Sequence, residues 1–306
     1  MRIGLSGGAA GVDAMIDQAV KAEADGFHAL WYAGAVGGDP LVAIALAGRT
    51  TERIELGTSV LQTYTAHPVL QANRAAATAA AMGRPGFVLG VGSSHEIVIR
   101  GAYGMDYDHA GRHTEAYVRM LAALLHGDAV DEKGEDLTLR GGARITPPPF
   151  PVPILVAALG PRLLRVAGAI ADGTVLWMAN AGAIESHVAP RIRAAAEAAG
   201  RPSPRIVAGL PVAVHDDVEE GRRAAAEQFA VYGTLPNYQR ILAHGGVSSP
   251  AEAAVVGDEA AVAAQLQGLL DAGATDLWTA IYPVGDDKQG SRRRTRDLLK
   301  ELAAGA

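Results

Sequence analysis

The chain of 306 residues contains no cysteine. That excludes a disulfide framework, a thiolate nucleophile and any zinc–cysteine site. No apolar run is long enough to span a bilayer. The opening MRIGLSGGAA enters directly on a strand and lacks a signal-peptide core, so a cytoplasmic location is expected. Positive charge is short as well: 27 Lys and Arg against 33 Asp and Glu leave a net charge of -6, which argues against a nucleic-acid partner. No G-x-x-x-x-G-K-[ST] motif occurs, and no G-x-G-x-x-G opens a helix early in the chain. The nine histidines include no H-E-x-x-H motif, and no metal site is expected.

What is present is a strongly apolar chain, 49% hydrophobic and 20% charged, which reads as globular. Its length suits one α/β barrel or two smaller domains. Short apolar runs read as strands over Arg2–Leu5, Ala29–Trp31, Ile54–Ser59, Phe87–Val91, Ile154–Ala157, Gly173–Trp177, Ile206–Val214 and Asp276–Tyr282. Segments with helical spacing alternate with them, among them Val12–Ala24, Val69–Met82, Arg112–Leu125, Leu163–Ala169, Ile184–Ala199, Val218–Val231, Asp258–Ala272 and Ser291–Ala303. Eight strands each followed by a helix are the tally of a (β/α)8 TIM-type barrel, here a single domain over residues 1–306 with insertions in its strand-to-helix loops. A doubly wound sheet is the alternative, and it would not need this many alternations. Asp131–Arg144 reads as a hairpin outside the core. Gly233–Val256 reads as irregular and long enough to act as a lid.

In such folds ligands bind where the strands end. The stretch IELGTSVLQTYTAHP, Ile54–Pro68, is a buried strand interrupted by Gly57, where a backbone or ligand comes close, and it runs out into a polar loop. After the fourth strand, Gly92-Ser93-Ser94-His95 offers hydroxyls and backbone N–H groups suited to a phosphate. After the fifth, Ala158-Leu159-Gly160-Pro161-Arg162 opens a helix whose first N–H groups, with Arg162 and Arg165 near, form a second anion site. Asp39-Pro40 reads as a helix cap.

Four stretches together resemble the bacterial-luciferase-like superfamily, in its branch that uses the deazaflavin coenzyme F420. They are LGTSVLQTYTAHP at Leu56–Pro68, RPGFVLGVGSSH at Arg84–His95, PILVAALGPRLLRVAGAIADGTVLWM at Pro153–Met178, and VVGDEAAVAAQLQGLLDAGATDL at Val255–Leu277. The resemblance implies a TIM-type barrel with the cofactor at the C-terminal strand ends. It implies a non-proline cis peptide at Ser59–Val60, beside Thr58, backing the ring. It places phosphate and tail contacts at Gly92, Ser93 and Ser94, and at Ala157, Ala158, Leu159, Gly160, Pro161 and Arg162. A homodimer is expected on the same ground. Two departures stand out. Relatives that oxidise glucose 6-phosphate carry an Asp-His pair where this chain reads Tyr32-Ala33-Gly34-Ala35, and a Glu where it has His95.

The function expected is an oxidoreductase moving a hydride between the deazaflavin ring and a small organic substrate, in the direction that reduces an activated C=C, C=N or C=O bond. A proton must accompany the hydride. His95 is the first candidate to handle it, because imidazole titrates near neutrality, and Tyr64 is the second. Two other readings stay open. One is an FMN-dependent monooxygenase, whose cofactor ends at a single phosphate and so has no need of the basic groove that Arg100, Arg162 and Arg165 would supply. The other is a protein that binds flavin or deazaflavin without turnover.

Overall fold

A computed structural model describes residues 1–8, 11–33 and 39–305. Its central feature is a closed parallel sheet of eight strands: β1 Ile3–Gly7, β2 Ala29–Tyr32, β3 Glu55–Thr58, β4 Phe87–Gly92, β5 Ile154–Val156, β6 Gly173–Val175, β7 Arg205–Val214 and β8 Asp276–Ile281. Each pairs with the next, and β8 returns to β1 through Ile3 opposite Leu277, so no edge is left within the ring. This is the (β/α)8 barrel that the sequence predicts. The helices pack outside it, with Val12–Ala24 and Pro68–Met82 matching their predicted spans to within a residue.

Side-chain alternation along the strands sorts the core into two layers. Phe87 and Leu89 face outward into the large core beneath the helices, while Val88 faces the barrel axis. Ala29, Trp31, Val88, Leu155, Val175, Val207 and Trp278 fill that axis. Two indoles need room. Gly57, opposite Trp31, and Gly209, opposite Trp278, provide it, since a Cβ at either position would collide with the facing indole. The close approach expected at Gly57 is therefore made by a tryptophan ring inside the barrel, not by a ligand or another backbone.

An ion cluster ties the N-terminal ends of the strands together. Arg205, at the start of β7, donates to Glu55 of β3 at 2.9 and 3.1 Å and to Asp276 of β8 at 2.9 and 3.2 Å. Arg2 joins both carboxylates. Burial would raise the Asp276 carboxyl, but the Arg205 and Arg2 guanidiniums outweigh it and hold it below the usual carboxylate range.

Three segments depart from the expected outline. Residues 233–256 are not irregular: they hold part of a 3-10 turn, Ala230–Thr234, then the helices Pro236–His244 and Pro250–Ala253. A further strand, Val255–Gly257, pairs with the end of β7. A π-helical turn, Ile97–Ala102, follows β4. The expected hairpin is present as Val130–Lys133 paired antiparallel with Thr138–Ala143. Among the described residues no helix is long and apolar enough to cross a membrane.

Replacing Arg205 by methionine leaves the largely buried Asp276 with Arg2 as its remaining cationic partner, and the expected cost is on the order of 3 kcal/mol at pH 7. Because the Asp276 pKa is depressed in the fold, its contribution is present above the unfolded value of about 4 and lost as the pH falls through the lower folded value. The gap between native protein and variant should therefore narrow below about pH 4, measured by urea unfolding across a pH series.

Candidate active site

At the C-terminal rim β3 is clamped to β4. The Thr58 hydroxyl donates to Gly90 O at 2.8 Å and accepts from Gly90 N at 2.9 Å. The chain then passes through Ser59 and Val60, joined by a cis peptide, and Leu61–Gln62 runs on beside Val91 and Gly92. Val60 packs against the inner barrel layer. A Cβ on Gly92 would lie 2.9 Å from both Val60 Cγ2 and Ala157 Cβ, so glycine lets the ends of β3, β4 and β5 close into one floor.

Above that floor is a cleft of about 870 Å3, within the range of small-molecule and cofactor sites. Ser59, Val60, Ser93, Ser94, His95, Ala157, Leu159, Gly160, Pro161 and Arg162 all line it, so most of the residues expected from sequence are brought together. Ser94 adopts a left-handed conformation, φ 62°, and its carbonyl accepts from the Tyr107 hydroxyl at 2.8 Å. Its own hydroxyl accepts from Gln62 Nε2 at 3.3 Å. Across the cleft, helix Pro161–Ala169 begins without a side-chain cap. Its first intrahelical bond is Leu164 N to Gly160 O, which leaves the Arg162 and Leu163 N–H groups without helical acceptors. An anion fits there. Arg162 also donates to Glu115 at 2.8 Å.

Four predicted residues do not line the cleft. Thr58 spends its hydroxyl on the β3–β4 clamp, Ala158 is fully buried, and Gly92 shapes the floor from beneath. Tyr64 lies away from it, stacked on His113 with centroids 4.1 Å apart and 5.4 Å from Tyr107. Its hydroxyl is buried without a partner, and burial pushes its pKa upward, which makes it a poor proton donor. Arg165 is not in the lining either. Arg100 is engaged by Glu96, Asp106 and Asp108 at 3.1, 3.3 and 2.9 Å. Residues 34 and 35 of the Tyr32–Ala35 stretch lie outside the described residues.

Tyr238 and Arg240 come from the segment 233–256 that was expected as a lid, while Tyr107, Trp177 and Trp278 were not anticipated from sequence; Trp177, two residues past β6, meets Trp278 at 5.0 Å. Trp177 closing an apolar run was a usable signal; the others depend on long-range folding. His109 and His113 have H-x-x-x-H spacing, which the sequence reading passed over. His113 faces Thr63 O at 3.3 Å, and among the described residues no cluster of three potential ligands exists.

The whole chain can now be placed. The model of the luciferase-like monooxygenase family matches residues 1–299. The chain belongs to that family. Among curated relatives, the F420-dependent glucose-6-phosphate dehydrogenase of Kineococcus radiotolerans is 28% identical over 305 residues, covering 90% of this chain and 88% of that one. The F420-dependent tetrahydromethanopterin reductase of Methanopyrus kandleri superposes with a TM-score of 0.75 at 19% identity, covering 98% and 97%. The oxygenating constituent of 3,6-diketocamphane monooxygenase from Pseudomonas putida, in complex with FMN, gives 0.73 at 16%, covering 100% and 98%. These structural likenesses establish the family barrel. They do not choose between its cofactors.

His95 lines the cleft with its ring 5.5 Å from Tyr238, and burial lowers its pKa. Its NMR titration should have a midpoint below the usual imidazole value of about 6.5; a midpoint above it would contradict this placement.

Proposed function

We propose that the protein is a coenzyme F420-dependent oxidoreductase that reduces an activated C=C, C=N or C=O group of a small organic substrate. The observation that carries this reading is the continuity of one cleft from the Ser59–Val60 floor to the helix N-terminus at Gly160–Arg162. It gives a flat ring a seat and a phosphate-bearing tail an anchor. The kinship with F420-dependent dehydrogenases adds to it. The residues present suit such a group: the Ser59 hydroxyl is buried with no partner, and the Arg162 and Leu163 N–H groups have no helical acceptor.

The deazaflavin, when bound, supplies the hydride chemistry. The chain's residues do the rest. Ser59 and Val60 back the ring, Ser93 and Ser94 hold the near phosphate, and Leu159–Arg162 hold the tail. His95, neutral and without a hydrogen-bond partner among the described residues, holds a proton at one ring nitrogen within the cleft and delivers it to the substrate. The excursion 233–256 supplies the outer wall through Pro236, Tyr238 and Arg240. Glucose 6-phosphate, named for the relatives, is not adopted as substrate, because the resemblance implies a Glu where this chain has His95.

The deciding measurement is a side-by-side fluorescence titration with F420 and FMN. Tight binding of F420 with little binding of FMN is expected, and Arg162→Ala should weaken F420 roughly tenfold by loss of a charge-assisted contact. Preference for FMN would move the reading to a monooxygenase. His95→Gln should leave F420 affinity unchanged and lower turnover 10²-fold or more.

We also propose a homodimer. Helices Pro40–Thr50 and Pro68–Met82 pack on each other and leave Val42, Leu46 and Leu70 about half exposed, an apolar face suited to a second copy. Sedimentation should show a dimer that Leu46→Glu converts to monomer; a native monomer would dispose of the idea.

A further inference from the structure

Among the described residues, three that carry a side chain have a positive φ: Ser94 at 62°, His109 at 57° and Met178 at 64°. Of these, Ser94 lines the cleft and the other two do not. The left-handed region is unfavourable for a residue with a Cβ, and serine does not visit it routinely. Such a conformation persists where neighbours hold it.

The holder here is Tyr107. Its hydroxyl donates to Ser94 O at 2.8 Å and lies 3.3 Å from Ser93 Oγ. The other hydrogen bonds on Ser94 are longer: Gln62 Nε2 reaches its hydroxyl at 3.3 Å, and Ser93 Oγ reaches its carbonyl at 3.5 Å. Burial pushes the Tyr107 phenol above its usual pKa, so the group stays protonated and remains a donor. The Ser94 and His95 N–H groups have no backbone acceptor among the described residues, and the torsions of Ser94 set the direction of both its own carbonyl and the N–H that follows.

Tyr107 is itself fixed from two sides. Its ring lies 5.4 Å from Tyr64, which is stacked on His113 at 4.1 Å. Its chain neighbours Asp106 and Asp108 both pair with Arg100, at 3.3 and 2.9 Å, and Arg100 is also held at 3.1 Å by Glu96, two residues past Ser94. Each exposed pair is weak alone. One guanidinium shared by both neighbours nevertheless restricts where residue 107 can lie. Tyr64 and Arg100, which take no part in the cleft lining, thus both bear on a residue that does.

We infer that Tyr107 is the positioning residue of the phosphate-receiving loop: its hydroxyl holds Ser94 in the left-handed conformation and so presets Ser93 and Ser94 before the cofactor arrives. The phosphate itself rests on the function proposed above. The ring of Tyr107 also borders the cleft, so action through Ser94 must be told apart from direct contact with a ligand.

A double-mutant cycle on the full-length protein makes that distinction, with Tyr107→Phe, Ser94→Gly and the two combined. Phenylalanine keeps the ring on Tyr64 and loses the hydroxyl. Glycine adopts a positive φ without penalty, so the hydroxyl has no strain left to oppose. Affinities for F420 and FMN are read by fluorescence titration, and stability without ligand by urea unfolding. Tyr107→Phe should weaken cofactor binding roughly fivefold, the worth of one neutral hydrogen bond, but less than twofold beside Ser94→Gly. The fall in urea midpoint caused by Tyr107→Phe should shrink in the same way. Equal losses of affinity in both backgrounds would mean that Tyr107 meets the ligand directly and would overturn the inference, as would no loss in either. FMN bound in place of F420, with the same cycle, would overturn the F420 reading and leave the inference standing, since both ligands carry a phosphate. F420 bound tightly with equal losses would do the reverse. If neither ligand binds the native protein, the cofactor reading fails and the ligand-free cycle decides: a smaller midpoint loss beside Ser94→Gly supports positioning by Tyr107, and an equal one overturns it.

Discussion

The barrel interior is filled by two indoles, and the placement of the cleft follows from that filling. Trp31 and Trp278 occupy the axis because Gly57 and Gly209 give up their side chains to them. With the axis closed, nothing can bind deep inside, and the first available surface is the layer of Val60 and Trp177 at the C-terminal rim. The ion cluster of Arg205, Glu55, Asp276 and Arg2 works from the opposite end, where it fixes the starts of three strands across the ring. One end of the barrel is thus held by charge. The other is held by packing and backbone hydrogen bonds, and its loops are free to build a site.

Those loops are tied to one another. His187 donates from Nε2 to Leu159 O at 2.8 Å, and its ring stacks on His244 at 3.8 Å. Leu159 lines the cleft just before helix Pro161–Ala169, and His244 ends the helix that carries Tyr238 and Arg240. Asn180 completes the junction by donating to Gly245 O at 3.0 Å. The wall of the excursion and the anion loop are thereby held by one contact group. A displacement of either is felt by the other, which suits a cleft in which substrate and cofactor must be set against each other to fractions of an ångström.

The parts legible in sequence were those governed by local chemistry. Eight apolar runs with period-two or fully buried character gave the strands, and Pro68, Pro161 and Asp39 marked helix starts because their conformational limits are local. The helix start at Gly160–Pro161 was legible for the same reason. Tyr64 was misplaced because its polar neighbours Gln62, Thr63 and Thr65 look like a rim, whereas its ring is drawn to His113, 49 residues further on. The excursion looked irregular because its helices are short and broken by Gly245 and Gly246, and the strand Val255–Gly257 exists only through its pairing with β7. The rings that run from His95 through Tyr238, Tyr232 and Trp177 to Trp278 come from four separate stretches, so no window of sequence contains them.

The two halves of the cleft differ in how they treat charge. The Gly160–Arg162 side presents free N–H groups and an arginine, while the side running from His95 to Trp278 presents rings and one neutral imidazole. A ligand that bridges them must be anionic at one end and apolar at the other. A flavin-type cofactor has that polarity along its length, and the apolar end is where the second reactant meets it. Burial keeps His95 uncharged, and that serves this division twice. It avoids a desolvated cation beside an apolar ligand, and it leaves a proton on one ring nitrogen available to a substrate atom.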